Sequence, residues 1–214
     1  MIVRAQTTEV ADRLKERFDW FVSAFVLAVQ QGWIERSNRS PFDPPTAPGT
    51  DAWRYTLRSI RQQADARGWT MADRGNLSMT VNEALEVAIV VFSGDDATGL
   101  AHLKPKSKNP RGPMIKEAIK RNTGQADLFG DVIEEETPSV EEVLRYETWV
   151  LLIYITDEEV RAELSLPISV DDKDYVVDWA ERIIISVPLP GAEWEQSPEA
   201  DIGPDIVPHV SFKL

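Results

Sequence analysis

The chain has 214 residues, of which 43% are hydrophobic and 28% are charged, a balance typical of a globular protein with a sizeable core. Its 36 acidic and 23 basic side chains give a net charge of −13, which argues against a general nucleic-acid binder because phosphate contacts need clustered Lys and Arg. The absence of cysteine excludes disulfides, thiolate zinc sites and cysteine nucleophiles.

The first third of the chain has the pattern of helices. Apolar residues recur about every 3.6 positions from Thr8 to Gln31, which predicts one long core helix that ends at Gly32. The stretch 36–50 is rich in proline and indicates a stiff connection. A second helix is predicted over residues 51–67, and its apolar side consists of Trp53, Leu57 and Ile60.

Strand patterns follow, and most of them lie in the second half of the chain. Residues 83–92 end in a β-branched run, which favours a strand over a helix, and a short helix is predicted over 114–121, after Pro113. The stretch 145–156 is apolar on both faces. Residues 160–166 alternate strictly, and Asp157-Glu158 between these two strands indicates a tight turn. A third strand is predicted over 182–189.

These elements together predict an α+β fold. We expect an antiparallel sheet, built mostly from the C-terminal half, that is covered by the N-terminal helices. Residues 1–214 are interpreted as a single domain, with a flexible acidic loop at 122–138 and a proline-rich tail at 190–214.

The predicted loop carries the five residues Gln125-Ala126-Asp127-Leu128-Phe129. This motif resembles the peptide by which bacterial proteins bind the DNA sliding clamp, and it matches that pattern at every position. The resemblance implies that Leu128 and Phe129 enter an apolar groove of the clamp, that Gln125 is hydrogen-bonded beside them, and that Asp127 tunes the affinity. If Leu128 and Phe129 remained in water, each would lack the roughly 1.5–3 kcal/mol of stabilisation that burial of an apolar side chain provides. The alternative is that Leu128 and Phe129 anchor the loop on the protein's own core.

A basic segment directly precedes the motif. Between His102 and Arg121 the only acidic residue is Glu117. The basic residues are Lys104, Lys106, Lys108, Arg111, Lys116, Lys120 and Arg121. Residues 104–121 are a candidate for DNA contact, chiefly through Lys104, Lys106, Lys108 and Arg111, because a protein bound to the clamp meets the DNA that passes through the ring. The interpretation that the sequence favours, by a small margin, is a solvated loop followed by an ordinary helix face.

The sequence contains few residues in catalytic patterns. His102 and His209 are the only histidines, and neither lies in a context typical of a nucleophile's partner. The tripeptide Gly94-Asp95-Asp96 follows an apolar strand and is similar to the metal-binding turn of some polymerases, but it is also typical of a surface turn, which is the interpretation we favour. We assign no catalytic residue, metal ligand or cofactor site from the sequence.

The sequence therefore favours a non-enzymatic accessory protein. It would bind the bacterial β sliding clamp and act in replication, in repair, or in the maintenance of a phage or mobile element. The alternatives are an acidic DNA mimic that inhibits a DNA-binding enzyme, and a small Mg²⁺-dependent nuclease that uses Asp95 and Asp96. The longest apolar stretch, Trp149 to Ile155, is too short to span a bilayer, and no signal segment is evident at the start, so we expect a cytoplasmic protein without membrane contact.

Overall fold

A seven-stranded mixed sheet forms the centre of the protein, whose computed structural model describes residues 1–124 and 145–189. The strands are β1 (Ile2–Arg4), β2 (Thr70–Arg74), β3 (Leu77–Asn82), β4 (Val87–Ser93), β5 (Glu147–Ile155), β6 (Val160–Val170) and β7 (Val176–Ile185). The helices in the described residues are α1 (Thr7–Phe18), α2 (Val22–Ser37), α3 (Ala47–Asp65) and α4 (Pro113–Asn122).

The strand order across the sheet is β1-β7-β6-β5-β4-β3-β2. Neighbouring strands are antiparallel, with two exceptions: β1 runs parallel to β7, and β4 runs parallel to β5. The chain forms α4 between β4 and β5, and such a crossover brings the next strand back in the same direction. The α+β class, the N-terminal helices and the C-terminal strands are confirmed. The sheet is mixed and not antiparallel as expected, and its four strands β1 to β4 precede residue 94.

Helices pack on both faces of the sheet. One core contains buried residues of α1, α2 and α3, and the other contains those of α4. The central strands β4 and β5 contribute to both cores: Ile89 and Trp149 point to one, and Val90 and Val150 to the other. This two-sided burial explains why these strands are apolar at nearly every position.

The long helix predicted over Thr8 to Gln31 is in fact two helices. Asp19 adopts a left-handed conformation with φ 55° and ends α1, where its backbone N–H donates a hydrogen bond to the carbonyl of Lys15. Trp20, which follows, is fully buried, so the apolar spacing continues across the break. The predicted stop at Gly32 is also wrong, because Gly32 lies inside α2 where that helix approaches α3.

Several of the later predictions agree with the structure. Residues 87–93 form a strand, a hairpin joins β5 to β6 around Asp157-Glu158, and α4 begins at Pro113. Strand β7 begins at Val176, earlier than predicted. The hairpin of β2 and β3 was not predicted; its turn residues Gly75 and Asn76 both have positive φ.

Candidate functional site, a cationic groove at the carboxyl end of strand β4

The residues of the clamp-type motif, Gln125, Asp127, Leu128 and Phe129, lie outside the described residues, as do residues 190–214. The described residues nearest the motif are Gly124 and Arg145, and both are exposed. The remaining predicted site residues lie in the segment 94–112, which connects β4 to α4.

Backbone hydrogen bonds fix this segment against the sheet. Gly94 donates to the carbonyl of Ile153 at 2.9 Å, and Lys108 donates to the carbonyl of Ser93 at 2.8 Å. At the far end, the N–H of Arg111 donates to the carbonyl of Asp174 at 2.7 Å. The segment therefore holds its basic side chains at defined positions around the carboxyl end of β4.

Asp95 has a structural role in this segment. Its Oδ1 accepts hydrogen bonds from the backbone N–H groups of Ala97 and Lys106, both at 3.2 Å. Such a pattern is typical of an aspartate that closes a turn. Asp96 is exposed. Residues 1–124 and 145–189 contain no group of three or more His, Asp or Glu side chains placed to hold a metal ion.

The four predicted DNA-contact residues divide into two pairs. Lys104 forms an ion pair with Asp178 at 3.0 Å, and the Nζ of Lys106 lies 5.5 Å from the centre of the Tyr175 ring. Lys108 and Arg111 instead line a groove on another side of the segment. The basic side chains of α4 are paired with acids, as in the ion pair of Lys116 with Asp174, so the basic segment does not form one continuous cationic surface.

The groove brings Lys108 and Arg111 together with two further arginines, Arg36 and Arg39. Its volume is about 740 Å³, within the range of small-molecule sites. Arg36 is in the last turn of α2, and Arg39 follows that helix. The other lining residues are Pro45, Thr46, Pro48, Gly49, Thr50, Trp53, Ser93 and Asn109. Within residues 1–124 and 145–189, no acidic side chain lines the groove.

Arg111 is half-buried and lacks a carboxylate partner among the described residues. Its guanidinium lies over the ring of Phe92 at 3.8 Å, and its Nη2 makes one long hydrogen bond of 3.4 Å to the carbonyl of Ser93. Its Nε has no hydrogen-bond partner in the described part of the chain. Burial disfavours the charged form and lowers the pKa of Arg111 to about 10, so the side chain is still a cation at neutral pH.

Arg36 and Arg39 share one carboxylate, that of Asp157 in the turn between β5 and β6. The Nη2 of Arg39 lies 2.8 Å from Oδ2, and the Nη2 of Arg36 lies 3.4 Å from Oδ1. The hydrogen bonds from Arg39 hold the pKa of Asp157 below its usual range. Because one carboxylate serves two guanidinium groups, the wall of the groove keeps an excess of positive charge.

The amino end of α3 adds a partial positive charge to the same groove. Thr46 is the N-cap residue, its side chain makes no capping hydrogen bond, and Pro48, Gly49 and Thr50 of the first turn line the groove. The aligned peptide dipoles of a helix favour an anion at this end. Four cations and a helix terminus therefore converge on one concave surface, an arrangement suited to binding an anion.

Arg36 and Arg39 were missed at the sequence level because the helix was expected to end at Gly32. In the structure α2 continues for more than a turn beyond that residue, and this extension carries Arg36 to the groove. Extension of the predicted helix past Gly32 would have placed Arg36, whereas Arg39 lies beyond the end of α2 and no helical pattern indicates its position.

No family model, curated protein or solved structure matches this chain. Among the helices of the described residues, none combines the length and the apolar character needed to cross a membrane.

Proposed function

We propose that this protein is an accessory protein that binds the bacterial DNA sliding clamp through Gln125, Asp127, Leu128 and Phe129. The observation that carries the proposal is the agreement of residues 125–129 with the clamp-binding pattern at every position. Leu128 and Phe129 supply an apolar pair for the clamp groove, and the amide of Gln125 sets the register beside it.

The described residues beside the motif support display at the protein surface. Asn122, at the end of α4, donates from Nδ2 to the carbonyls of Thr148 and Pro167 at 2.9 and 3.0 Å, and its Oδ1 accepts from the N–H of Thr148 at 2.9 Å. These bonds tie the residues before the motif to those after it. Gly124 and Arg145, the described residues on either side of the segment that contains the motif, are both exposed.

A short peptide motif of this kind gives modest affinity. We expect a dissociation constant near 1 μM, or about −8 kcal/mol, because the gain from burying the apolar pair is offset by the cost of ordering the peptide. A ring-shaped clamp offers several equivalent sites, which raises the effective affinity of any multivalent partner. Binding at these sites also excludes other proteins that use the same pocket.

Attachment to the clamp would bring the folded part of the protein close to DNA. Of the four residues expected to contact DNA, Lys104 is paired with Asp178, whereas Lys108 and Arg111 have no carboxylate partner among the described residues. Lys106 lies over the Tyr175 ring outside the groove. We therefore assign DNA contact chiefly to Lys108 and Arg111, which lie together in the groove. Such a tethered protein would act in replication, in repair, or in the maintenance of a phage or mobile element.

The test is calorimetric binding of the full-length protein to a purified bacterial sliding clamp. The double variant Leu128→Ala/Phe129→Ala should lose binding by at least about a hundredfold, since each buried side chain contributes roughly 1.5–3 kcal/mol. The matched control is Phe42→Ala/Leu103→Ala, which removes the same two side-chain types from exposed positions at 95% and 44% exposure.

The control variant should bind as wild type does, and both variants should keep the wild-type melting temperature. A folded wild-type protein that does not bind the clamp would refute the proposal, as would equal losses in the two variants.

A further inference from the structure

The cationic groove lined by Arg36, Arg39, Lys108 and Arg111 contains more positive charge than the fold requires. When a buried cation only stabilises the fold, a carboxylate usually lies beside it, as that of Glu163 lies beside Arg182. Here one exposed carboxylate, that of Asp157 outside the groove lining, pairs with two of the four cations, and the other two have none within the described residues.

We propose that the groove binds the phosphate group of a nucleotide. A phosphate carries up to two negative charges and accepts several charge-assisted hydrogen bonds, which matches a site with three guanidinium groups, an ammonium group and a helix amino terminus. A carboxylate, with one charge and two oxygens, would leave most of these donors unused. The proposal rests on residues 36–111 and does not depend on the clamp motif.

Arg111 contributes the most specific part of this argument. Burial without a carboxylate costs free energy, and the stacking of its guanidinium on Phe92 offsets only part of that cost. A phosphate in the groove would provide the missing partner for the guanidinium. Arg111 lines the groove, so an anion bound there would lie beside a guanidinium group that is already fixed by its ring contact with Phe92.

Trp53 gives the groove an apolar wall that suits the base of a nucleotide. Its indole Nε1 donates to the carbonyl of Val91 at 2.9 Å, which fixes the ring, and the side chain is partly buried against the core on that face of the sheet. Stacking on an aromatic ring is the usual way in which proteins hold a base without reading its sequence. A volume of about 740 Å³ accommodates a base, a sugar and their phosphates.

The experiment is titration of the full-length protein, without the clamp, by calorimetry with three probes. The probes are pyrophosphate, ATP, and a 5′-phosphorylated single-stranded oligonucleotide. The groove variant is Lys108→Met/Arg111→Met. Its matched control is Lys104→Met/Lys106→Met, which removes the same number of charges from the same segment but outside the groove.

We expect wild type and the control to bind at least one of the three probes, and the groove variant to bind it at least about tenfold more weakly, because charge-assisted hydrogen bonds are lost. If ATP binds more tightly than pyrophosphate, the ligand is a free nucleotide, and the gain in affinity comes from contact of its base with Trp53. An oligonucleotide that binds more tightly than ATP would identify the phosphate of a DNA strand as the source.

The absence of binding to all three probes would overturn the proposal. Equal weakening in the two double variants would also overturn it, because it would show attraction by overall charge and not by a site. The variant Leu128→Ala/Phe129→Ala should retain wild-type nucleotide affinity, so failure of the clamp proposal and failure of this one are distinguishable.

Discussion

The guanidinium of Arg182 and the carboxylate of Glu163 form a two-point ion pair inside the protein, with Nη2 at 2.6 Å from Oε2 and Nε at 2.9 Å from Oε1. Both side chains are fully buried. Arg182 also donates to the carbonyls of Leu100 and Leu103, and Glu163 accepts from the N–H of Gly99. The pair therefore fastens the segment after β4 to strands β6 and β7, and thereby supports the position of Lys108 and Arg111 in the groove.

Replacement of Arg182 by methionine should destabilise the protein by about 3–5 kcal/mol, because it leaves the charge of Glu163 buried without its partner. The free energy of unfolding is measured by urea denaturation with tryptophan fluorescence. The double variant Glu163→Met/Arg182→Met should recover part of the loss, since it removes both charges. Lys104→Met, which breaks an exposed ion pair, should change stability by less than about 1 kcal/mol and serves as the control. If Arg182→Met also lost less than about 1 kcal/mol, the ion pair would not stabilise the fold.

Gly32 allows the close approach of α2 to α3. A Cβ at this position would lie 2.2 Å from Oγ1 of Thr56 and 2.6 Å from the carbonyl oxygen of Ala52. Gly32→Ala should therefore destabilise the protein by about 1–3 kcal/mol through overpacking, although alanine has the higher helix propensity. Gly49→Ala is the matched control, because Gly49 is also helical but a Cβ there would meet nothing within 4 Å. Thermal unfolding of both variants tests this, and a Gly32→Ala variant as stable as Gly49→Ala would contradict it.

The same glycine shows why the sequence predicted element types better than their boundaries. A glycine after a periodic run usually ends a helix, but here it allows a tertiary contact with the next helix, α3, which the local pattern does not show. The break at Asp19 was hidden for a similar reason, since the buried Trp20 continues the apolar spacing. Local patterns identified β4, β5 and β6 because their burial determines their composition, whereas the parallel pairing of β4 with β5 depends on the path of the whole chain.

Glu181 makes the stability of the fold depend on pH in acid. Burial would raise the pKa of Glu181, but hydrogen bonds from Arg13 and Arg4 outweigh it and hold the pKa below its ordinary value of 4.5. Because the folded-state pKa is the lower one, the stabilisation is present above pH 4.5 and is lost as the pH falls through the folded-state value. We expect the free energy of unfolding to decrease over this acid range in wild type.

The variant Glu181→Gln separates this contribution from general acid unfolding. It should be less stable than wild type at neutral pH, and the difference should shrink as the pH falls below 4.5. Urea denaturation at a series of pH values gives the measurement. Glu158→Gln, in the exposed turn between β5 and β6, controls for the removal of one negative charge. A difference that stays constant with pH would assign the effect of Glu181 to packing and not to its charge.

The site was less predictable than the fold because its members come from separate parts of the chain. The basic segment indicates Lys104, Lys106, Lys108 and Arg111 alike, since sequence alone does not show that Asp178 pairs with Lys104. Arg36 reaches the same groove only because α2 extends past Gly32. Charge density along the sequence indicated that the segment was basic, and tertiary contacts decide which of its charges remain without an acidic partner.

Arg111→Met should have opposite effects on stability and on ligand binding. At neutral pH we expect the variant to be as stable as wild type or more stable by up to about 1 kcal/mol, because it removes a buried cation that has no carboxylate partner in the described part of the chain. Burial lowers the pKa of Arg111 to about 10, so the side chain is charged at every pH below that value. The difference in the free energy of unfolding between Arg111→Met and wild type should therefore be the same in acid and at neutral pH.

The nucleotide should reverse this order of stability. A ligand that binds only the folded protein stabilises it by about 2.7 kcal/mol at a concentration one hundred times its dissociation constant. ATP or the phosphorylated oligonucleotide, whichever binds wild type, should therefore raise the melting temperature of wild type clearly more than that of Arg111→Met. Arg58→Met, which removes an exposed arginine of α3 outside the groove, should respond as wild type does. If Arg111→Met is strongly destabilised without ligand, the role of Arg111 is to stabilise the fold and not to bind an anion.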